Sequence, residues 1–380
     1  MQRQTGKYVN QIEGCRAFLP APLPPDPPIN IDEEMQMLLS KADRALGRLD
    51  GSVQALPDAD LFVFMYVRKE AVLSSQIEGT QASINDLLEV EAKIFNPEGA
   101  NDVNEVLNYV AALNLGLSQL SELPVSVRLI RNIHRRLMKD VRGEHAQPGE
   151  IRSSQNWIGA SGCTLDGAIF VPPPPSDLHR LMADLESFLH NDDPMPLLLK
   201  IGLAHAQFET LHPFLDGNGR TGRLLITLLL CEREVLIKPV LYLSHFLKRN
   251  RQTYYEMLQA TRDEGRLEDW LKFFLRGISE VANEATETAR MIVSLREDHR
   301  ARLVETLGRG AGNGLKLLEA LYQGPIFSVA DVSELLGVTQ QAANTLTERF
   351  VNLGLATEMT GNRRNRRFRY DPYIDIFSRS

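Results

Sequence analysis

With 380 residues, of which 43% are hydrophobic and 24% charged, the chain has the make-up of a globular protein of two or three folded units, not of a disordered or fibrous polymer. Its net charge of -7 argues against nucleic-acid binding by the molecule as a whole and leaves room only for a local basic patch. Cys15, Cys163 and Cys231 are too few and too widely spaced for a disulfide framework or a CxxC zinc site. Met1 to Gly14 lacks a secretory apolar run, and the longest apolar stretch, Leu224 to Cys231, is too short for a bilayer. Reduced thiols, a cytoplasmic setting and no membrane partner are the expectation.

Taken in chain order, residues 18 to 28 carry Pro20, Pro22, Pro24, Pro25, Pro27 and Pro28, so 1–30 is expected to be an extended arm of polyproline II character. Helical spacing then dominates to about residue 300. Val103, Val106, Val110, Leu113 and Leu117 form one stripe, and Leu178, Leu181, Leu185 and Phe188 another, with Ser176 as its expected N-cap. The segment Trp157 to Val171 breaks the helical pattern with Gly159, Gly162 and Gly167 among β-favouring residues, and ends in Pro172 to Pro175; it is expected to be a hairpin projecting from the bundle. Past the glycine-rich break at Gly308 to Gly314, the segments Val329–Leu336 and Thr339–Leu353, joined at Gly337, have helix-turn-helix spacing. Two strands around Thr360, Gly361 and Asn362 would complete a winged-helix outline.

The densest chemical signal is His212-Pro213-Phe214-Leu215-Asp216-Gly217-Asn218-Gly219-Arg220-Thr221-Gly222-Arg223, between the apolar runs Leu197–Leu211 and Leu224–Leu230. A loop between two buried helices is held rigidly and still faces outward. Gly217, Asn218 and Gly219 can aim backbone N–H groups at one point where a helix begins, which suits phosphate oxygens. Arg220 and Arg223 add guanidinium forks for phosphate, and Asp216 adds a hard oxygen for Mg²⁺. His212 is the nearby group whose ordinary pKa suits proton abstraction near neutrality.

This string resembles the Fic family signature HPFx(D/E)GNGRxxR at every defined position. Gly219 is intact where the phosphorylating relatives resemble a version with lysine, which favours nucleotidyl transfer. The resemblance implies a mainly α fold: a Fic-type helical bundle with a β-hairpin flap, and behind it a C-terminal winged helix-turn-helix domain. It implies a protein adenylyltransferase that moves AMP from ATP to a Ser, Thr or Tyr hydroxyl and releases pyrophosphate. His212 would be the base. Asp216 would carry Mg²⁺, and Gly217, Asn218, Gly219, Arg220, Arg223 and Glu78 would surround ATP. Gly149-Glu150-Ile151-Arg152 and the hairpin look like the family's flap, where Trp157, Ile158 and Gly159 would pair with a target protein as an added strand. Asn250, Arg251, Tyr254 and Tyr255 lie where the family lines its nucleotide pocket, Asn250 being the expected ATP contact.

Upstream, Ser74-Ser75-Gln76-Ile77-Glu78-Gly79 resembles the family's inhibitory motif (S/T)xxxE(G/N), here in its N-terminal form. Leu61, Met65, Val72 and Ile77 give that helix an apolar side, and Gly79 is a plausible stop, so Glu78 would leave the helix end free to pair with Arg223 in place of the γ-phosphate. The domain limits expected are 1–30 for the arm, 31–120 for the N-terminal helical region with the inhibitory helix ending near 79, 121–300 for the catalytic domain and 310–380 for the winged helix. Arg363, Arg364, Arg366, Arg367 and Arg369 crowd the wing, so DNA is one partner the sequence admits, beside target proteins, self-modification and a homodimer. The alternative reading is a nucleotide-sensing, DNA-binding regulator. A metal site built on His205 and His212 lacks further ligands at recognisable spacing, and His205 among Ala204, Ala206 and Phe208 fits a core histidine.

Overall fold

The computed structural model describes residues 3–11, 14–54, 59–94, 100–141, 147–159, 162–362 and 364–378, with the backbone alone for 60–62 and 100–101. An N-terminal hairpin, β1 (Gly6–Asn10) with β2 (Arg16–Pro20), precedes α1 (Glu33–Gln54), α2 (Ala59–Ile77), α3 (Ile84–Glu91), α4 (Ala100–Gln119) and α5 (Val127–Leu137). There follow α6 (Pro175–His190), α7 (Leu197–Leu211), α8 (Asn218–Glu232), α9 (Ser244–Arg249), α10 (Arg251–Asp263) and α11 (Leu267–Leu307). The C-terminal part consists of α12 (Ala311–Leu321), β3 (Ile326–Ser328), α13 (Val329–Leu336), α14 (Gln340–Asn352), β4 (Thr357–Glu358), β5 (Arg367–Arg369) and α15 (Asp371–Ser378). The fold is mainly α, as expected from the sequence.

α7 and α8 form the centre, because their apolar residues run round the whole helix and not along one stripe. Leu199, Leu203, Phe208, Leu211, Leu224, Leu225 and Leu228 are all essentially inaccessible to solvent. Around this pair pack amphipathic helices such as α1, whose Met35, Leu38, Ala42, Leu46, Leu49 and Val53 recur every three or four residues and lie against α11. The N-cap expected at Ser176 is displaced. Helix α6 begins at Pro175, whose fixed φ and missing N–H suit the first helical position, so Ser176 falls inside the first turn.

One expectation needs correction. The segment before residue 20 is not a free extended arm. Phe18 is buried against Phe170 at 6.0 Å, its N–H bonds the Val171 carbonyl at 2.9 Å, and Thr5 donates its hydroxyl to the Thr261 carbonyl at 2.5 Å. The proline count does not report this, because alternating residues on either side of a turn pair with each other ahead of the prolines. The C-terminal part, expected as a domain over 310–380, packs on the bundle. The 41-residue helix α11 runs out of the core into it. Helix α15 then folds back, placing the Phe377 ring 5.3 Å edge-on to the Tyr66 ring in α2.

Within that C-terminal part, Ser328 and Asp331 form a reciprocal capping box at the start of α13, Gly337 ends it in the left-handed region, and Thr339 caps α14. The strands expected around residues 360–362 are present as the short pair β4–β5, and β3 adds a third strand on the other side of β5. Arg363 lies outside the described residues. Arg366 reaches Glu358 at 3.6 Å and Asn344 at 2.7 Å, Arg367 reaches Asp331 at 3.2 Å, and Arg369 bonds Asp371.

Candidate active site

His212 and Gly217 are the two backbone pivots of the loop. His212 ends α7 at φ 47°, uncommon for a residue with a side chain, and Gly217 opens α8 at φ 75°, where glycine carries no such penalty. Buried partners hold this shape. Asn218 accepts from the Phe214 N–H at 2.9 Å and donates to the Phe214 carbonyl at 2.8 Å. Arg152 donates through Nε to the His212 carbonyl at 2.9 Å, and Asn156 donates to the Phe214 carbonyl at 2.9 Å. His134 stacks on Phe214 with centroids 3.7 Å apart. Its Nδ1 accepts from the Gly149 N–H, which leaves the proton on Nε2 to donate to the Asp216 carbonyl at 2.9 Å. Burial holds His134 down at about 4, so it stays neutral in that role.

These contacts revise two assignments. The amide of Asn218 is used at both ends on Phe214, so what Asn218 offers to a ligand is its backbone N–H at the first turn of α8, where helical N–H groups have no intrahelical partner. Arg220 is engaged inside the protein while its charge still acts on Glu78. Its Nη1 lies 3.1 Å from Glu105 and its Nη2 3.7 Å from the Met138 sulfur, both inside the protein, because the first turn of α8 faces α4 and α5 on that side. Arg220 is therefore tied into a buried ion pair with Glu105, which also accepts from the Thr80 hydroxyl.

Arg223, one turn into α8, faces the loop. Its side chain is 2% exposed and its Nη2 lies 2.7 Å from Glu78 Oε1, while Nε and Nη2 also bond the Ser74 hydroxyl at 2.8 Å and the Ser74 carbonyl at 3.0 Å. Burial pushes the Glu78 carboxyl up, but the charge and hydrogen bond of Arg223 outweigh it and hold Glu78 below the usual carboxylate range. Glu78 is at the end of α2, where Gly79 leaves the helix at φ 102°. Glycine at 219 is required by this approach, since a Cβ there would sit 2.3 Å from Glu78 Oε1. Two further carboxyls lie behind Arg223. Glu70 accepts from the Ser244 backbone and hydroxyl, and Glu209 has a buried Oε1 without a partner; burial raises both to about 7.

Asp216 is the exposed acid of the loop, its Oδ1 accepting from the Gly217 N–H at 2.6 Å. No group of three or more His, Cys, Asp or Glu side chains gathers at a point among the described residues. An exposed hard oxygen beside an open helix N-terminus fits Mg²⁺ that fills its shell with water and phosphate. His205 bonds the Gly222 carbonyl and the Tyr254 hydroxyl inside the bundle, as a core histidine does.

Of the expected pocket residues downstream, Asn250 caps α9 by donating to the Phe246 carbonyl at 3.0 Å, and no contact ties it to the loop. The residues of α10 that feel the site are Tyr254, Tyr255 and Arg262, electrostatic neighbours of Arg223, Glu78 and His212. Among the described residues of the flap, Ile158 and Phe170 form an antiparallel bridge, with a short 3-10 turn at 165–167; residues 160 and 161 of the expected hairpin lie outside them. A Cβ at Gly159 would meet the Cys163 sulfur at 2.5 Å. Trp157 is half-exposed, its indole N–H on the Cys163 carbonyl, and Ile169 is exposed. The sequence reading missed His134, Asn156, Arg262 and Glu209. Of these, Glu209 lay three residues before His212 and Arg262 one turn beyond Leu258 on the buried side of α10, but nothing in their spacing sets them apart from ordinary charges.

Two family models match the chain: Fic/DOC family N-terminal over residues 36–118 and Fic/DOC family over residues 124–230. Among curated proteins, the chain is 30% identical over 256 residues to the protein adenylyltransferase Fic of Drosophila erecta, covering 64% of this chain and 46% of that protein. It is 27% identical over 314 residues to the Drosophila virilis protein of the same name, covering 75% and 59%. The chain thus spans less than half of the first of these and little more than half of the second. A Fic family protein from Desulfovibrio desulfuricans matches in structure with TM-score 0.59 and 19% identity, over 90% of this chain and 97% of that one. Fic-1 from C. elegans matches with TM-score 0.52 and 21% identity, over 69% and 74%. At those identities the likeness is one of fold. The two family models together take in half of the chain, and the second contains the whole His212–Arg223 loop, so this protein belongs to the Fic/DOC family.

Proposed function

We propose that this protein is an adenylyltransferase that transfers AMP from ATP to a hydroxyl side chain of a protein, Ser, Thr or Tyr, and releases pyrophosphate. The observation that carries the reading is the loop itself: a histidine at the end of one buried helix faces the open N-terminus of the next, with a buried arginine one turn further in. The first N–H groups of α8 receive the phosphate oxygens. His212 takes the proton of the target hydroxyl as its oxygen bonds to the α-phosphorus, and the bond from that phosphorus to the bridging oxygen breaks, so the electron pair leaves with pyrophosphate. Asp216 would hold Mg²⁺, whose charge would offset that of the phosphates. Arg223 holds the far end of the chain of phosphates; Arg220, tied to Glu105, supports α8 from behind.

In this reading Glu78 is a brake, since it takes the donors of Arg223 that a γ-phosphate needs. The target docks as a strand along Trp157, Ile158 and Gly159 of the flap, and segments of the protein itself serve as targets in self-modification. The C-terminal elements are read as a winged helix for contact with a protein, whether a target or a second copy. DNA binding is the less favoured use, because Arg366, Arg367 and Arg369 already bond carboxylates of the chain, which removes much of the free charge that phosphate contacts need. Incubation of the purified protein with ATP labelled at the α-phosphate, with and without a cell lysate, tests the reading: label on protein supports it, and label absent from all protein in the Glu78→Gly variant as well would overturn it.

A further inference from the structure

His212 lies between two buried arginines that the proposed chemistry leaves unused. Arg152 donates to three carbonyls, those of His212, Ser154 and Pro173. Arg262 caps the end of α7. Its Nε bonds the Thr210 hydroxyl at 3.1 Å, its Nη2 the Glu209 carbonyl at 3.2 Å and its Nη1 the Gln259 side chain at 3.3 Å, and its guanidinium lies 3.9 Å over the Phe170 ring. Every one of these acceptors is neutral. A buried charge without a bonded counter-charge is costly, so its field is felt by whatever lies next to it. Each arginine spends three of its five N–H donors on these neutral acceptors, which fix its guanidinium in place. What they impose on His212 is positive potential from two sides.

The charged groups whose fields reach His212 are Arg262 from α10, Arg152 from the segment before the flap and Glu78 from the end of α2, and the Glu209 backbone carbonyl also favours the protonated ring. Burial first, and then the charges of Arg262 and Arg152, push the imidazole down to about 3 against a smaller opposing pull from Glu78. The opposing charge disappears when Glu78 is displaced. Another anion must then replace it before His212 can hold a proton.

We infer that Arg262, together with Arg152, is a positioning residue that makes the proton affinity of His212 conditional on a bound polyanion. Without a phosphate chain on the α8 N-terminus, His212 stays neutral and does not retain a proton. With the chain in place, the negative charge lets the ring accept the proton of a hydroxyl. Nucleotide binding thus arms the base. The hydroxyl part of this rests on the adenylyltransferase reading, but the electrostatic part does not.

The test is a titration of the full chain carrying ¹³C at histidine Cε1, with the His212 signal identified by its loss in His212→Ala. From pH 8 to pH 5 the free protein is expected to show no titration of His212, and continuing to about pH 3 brings its midpoint into view. In Glu78→Gly, where Arg223 is open, pyrophosphate with Mg²⁺ should bring the midpoint up into that window. Arg262→Gln should raise the midpoint of the free protein by about one unit, a tenfold gain in proton affinity, whereas Arg262→Lys, which keeps the charge, should leave it near the wild-type value. A free-protein midpoint near the ordinary histidine value, or equal shifts in the Gln and Lys variants, would overturn the inference. If Arg262→Gln fails to fold, the pyrophosphate arm decides alone, a midpoint unmoved by the anion counting against it. Absence of label transfer alongside the expected titrations would remove the adenylyltransferase reading and leave this one standing.

Discussion

Replacing Glu78 by glycine removes the one carboxylate that the loop arginine holds, and the gain can be worked from the contact. The Arg223–Glu78 hydrogen bond is 2.7 Å long and charged on both sides, which places it at about 1.5–3 kcal/mol. The Glu78 side chain is 36% exposed, so solvent screens the pair and the lower half of that range applies. Arg223 keeps its bonds to Ser74 and stays in place after the change. A bias of about 1.5–2.2 kcal/mol towards the blocked arrangement corresponds to roughly a tenfold to fortyfold rise in AMP transfer when it is lifted. The assay is label incorporation from α-labelled ATP into the protein itself, for wild type, Glu78→Gly, Arg223→Ala and the double variant. Arg223→Ala should remain slow, since it discards the group that orients the phosphates, and adding Glu78→Gly to it should bring little, as two residues acting through one contact do not add. An unchanged rate in a folded Glu78→Gly protein would refute the brake.

Asp216→Ala should cripple turnover at every Mg²⁺ concentration because the lost ligand also sets the phosphate positions, and full recovery at high Mg²⁺ would contradict that role. Glu209, raised from 4.5 to about 7 by burial, is protonated in the folded and unfolded protein alike below pH 4.5 and must carry a buried charge above pH 7. Stability is therefore lost as pH rises through this window, by about 3 kcal/mol at most, and denaturant melts of Glu209→Gln should show that pH dependence flattened. Phe377→Ala, which empties the contact on Tyr66, should lower the unfolding free energy by about 3–4 kcal/mol in a single transition, whereas separate transitions for the bundle and the C-terminal elements would speak against their coupling.

The loop was legible because its residue types are unusual together and sit between two runs too apolar to be anything but buried helices. Ser74 and Glu78 were legible only once that loop was known, as a short motif carries little weight without its partner 145 residues away. Arg220 and Asn218 show the limit. Their types suit phosphate, but which way a side chain leaves the first turn of α8 depends on Glu105 and Phe214, and no local pattern encodes that. The same holds for His134 and Arg262, whose roles arise from helices that meet only in three dimensions. The N-terminal hairpin was hidden by its prolines. The return of α15 onto α2 was hidden because a short amphipathic helix does not announce what it covers.

The central claim is that His212 is the base of an AMP transfer, and the most direct measurement pairs two readings on one variant. His212→Ala, made in the Glu78→Gly background so that the starting rate is high, should lose label transfer from α-labelled ATP while still binding ATP, because the α8 N-terminus and Arg223 are untouched. Transfer retained at a rate near that of Glu78→Gly alone would contradict the account.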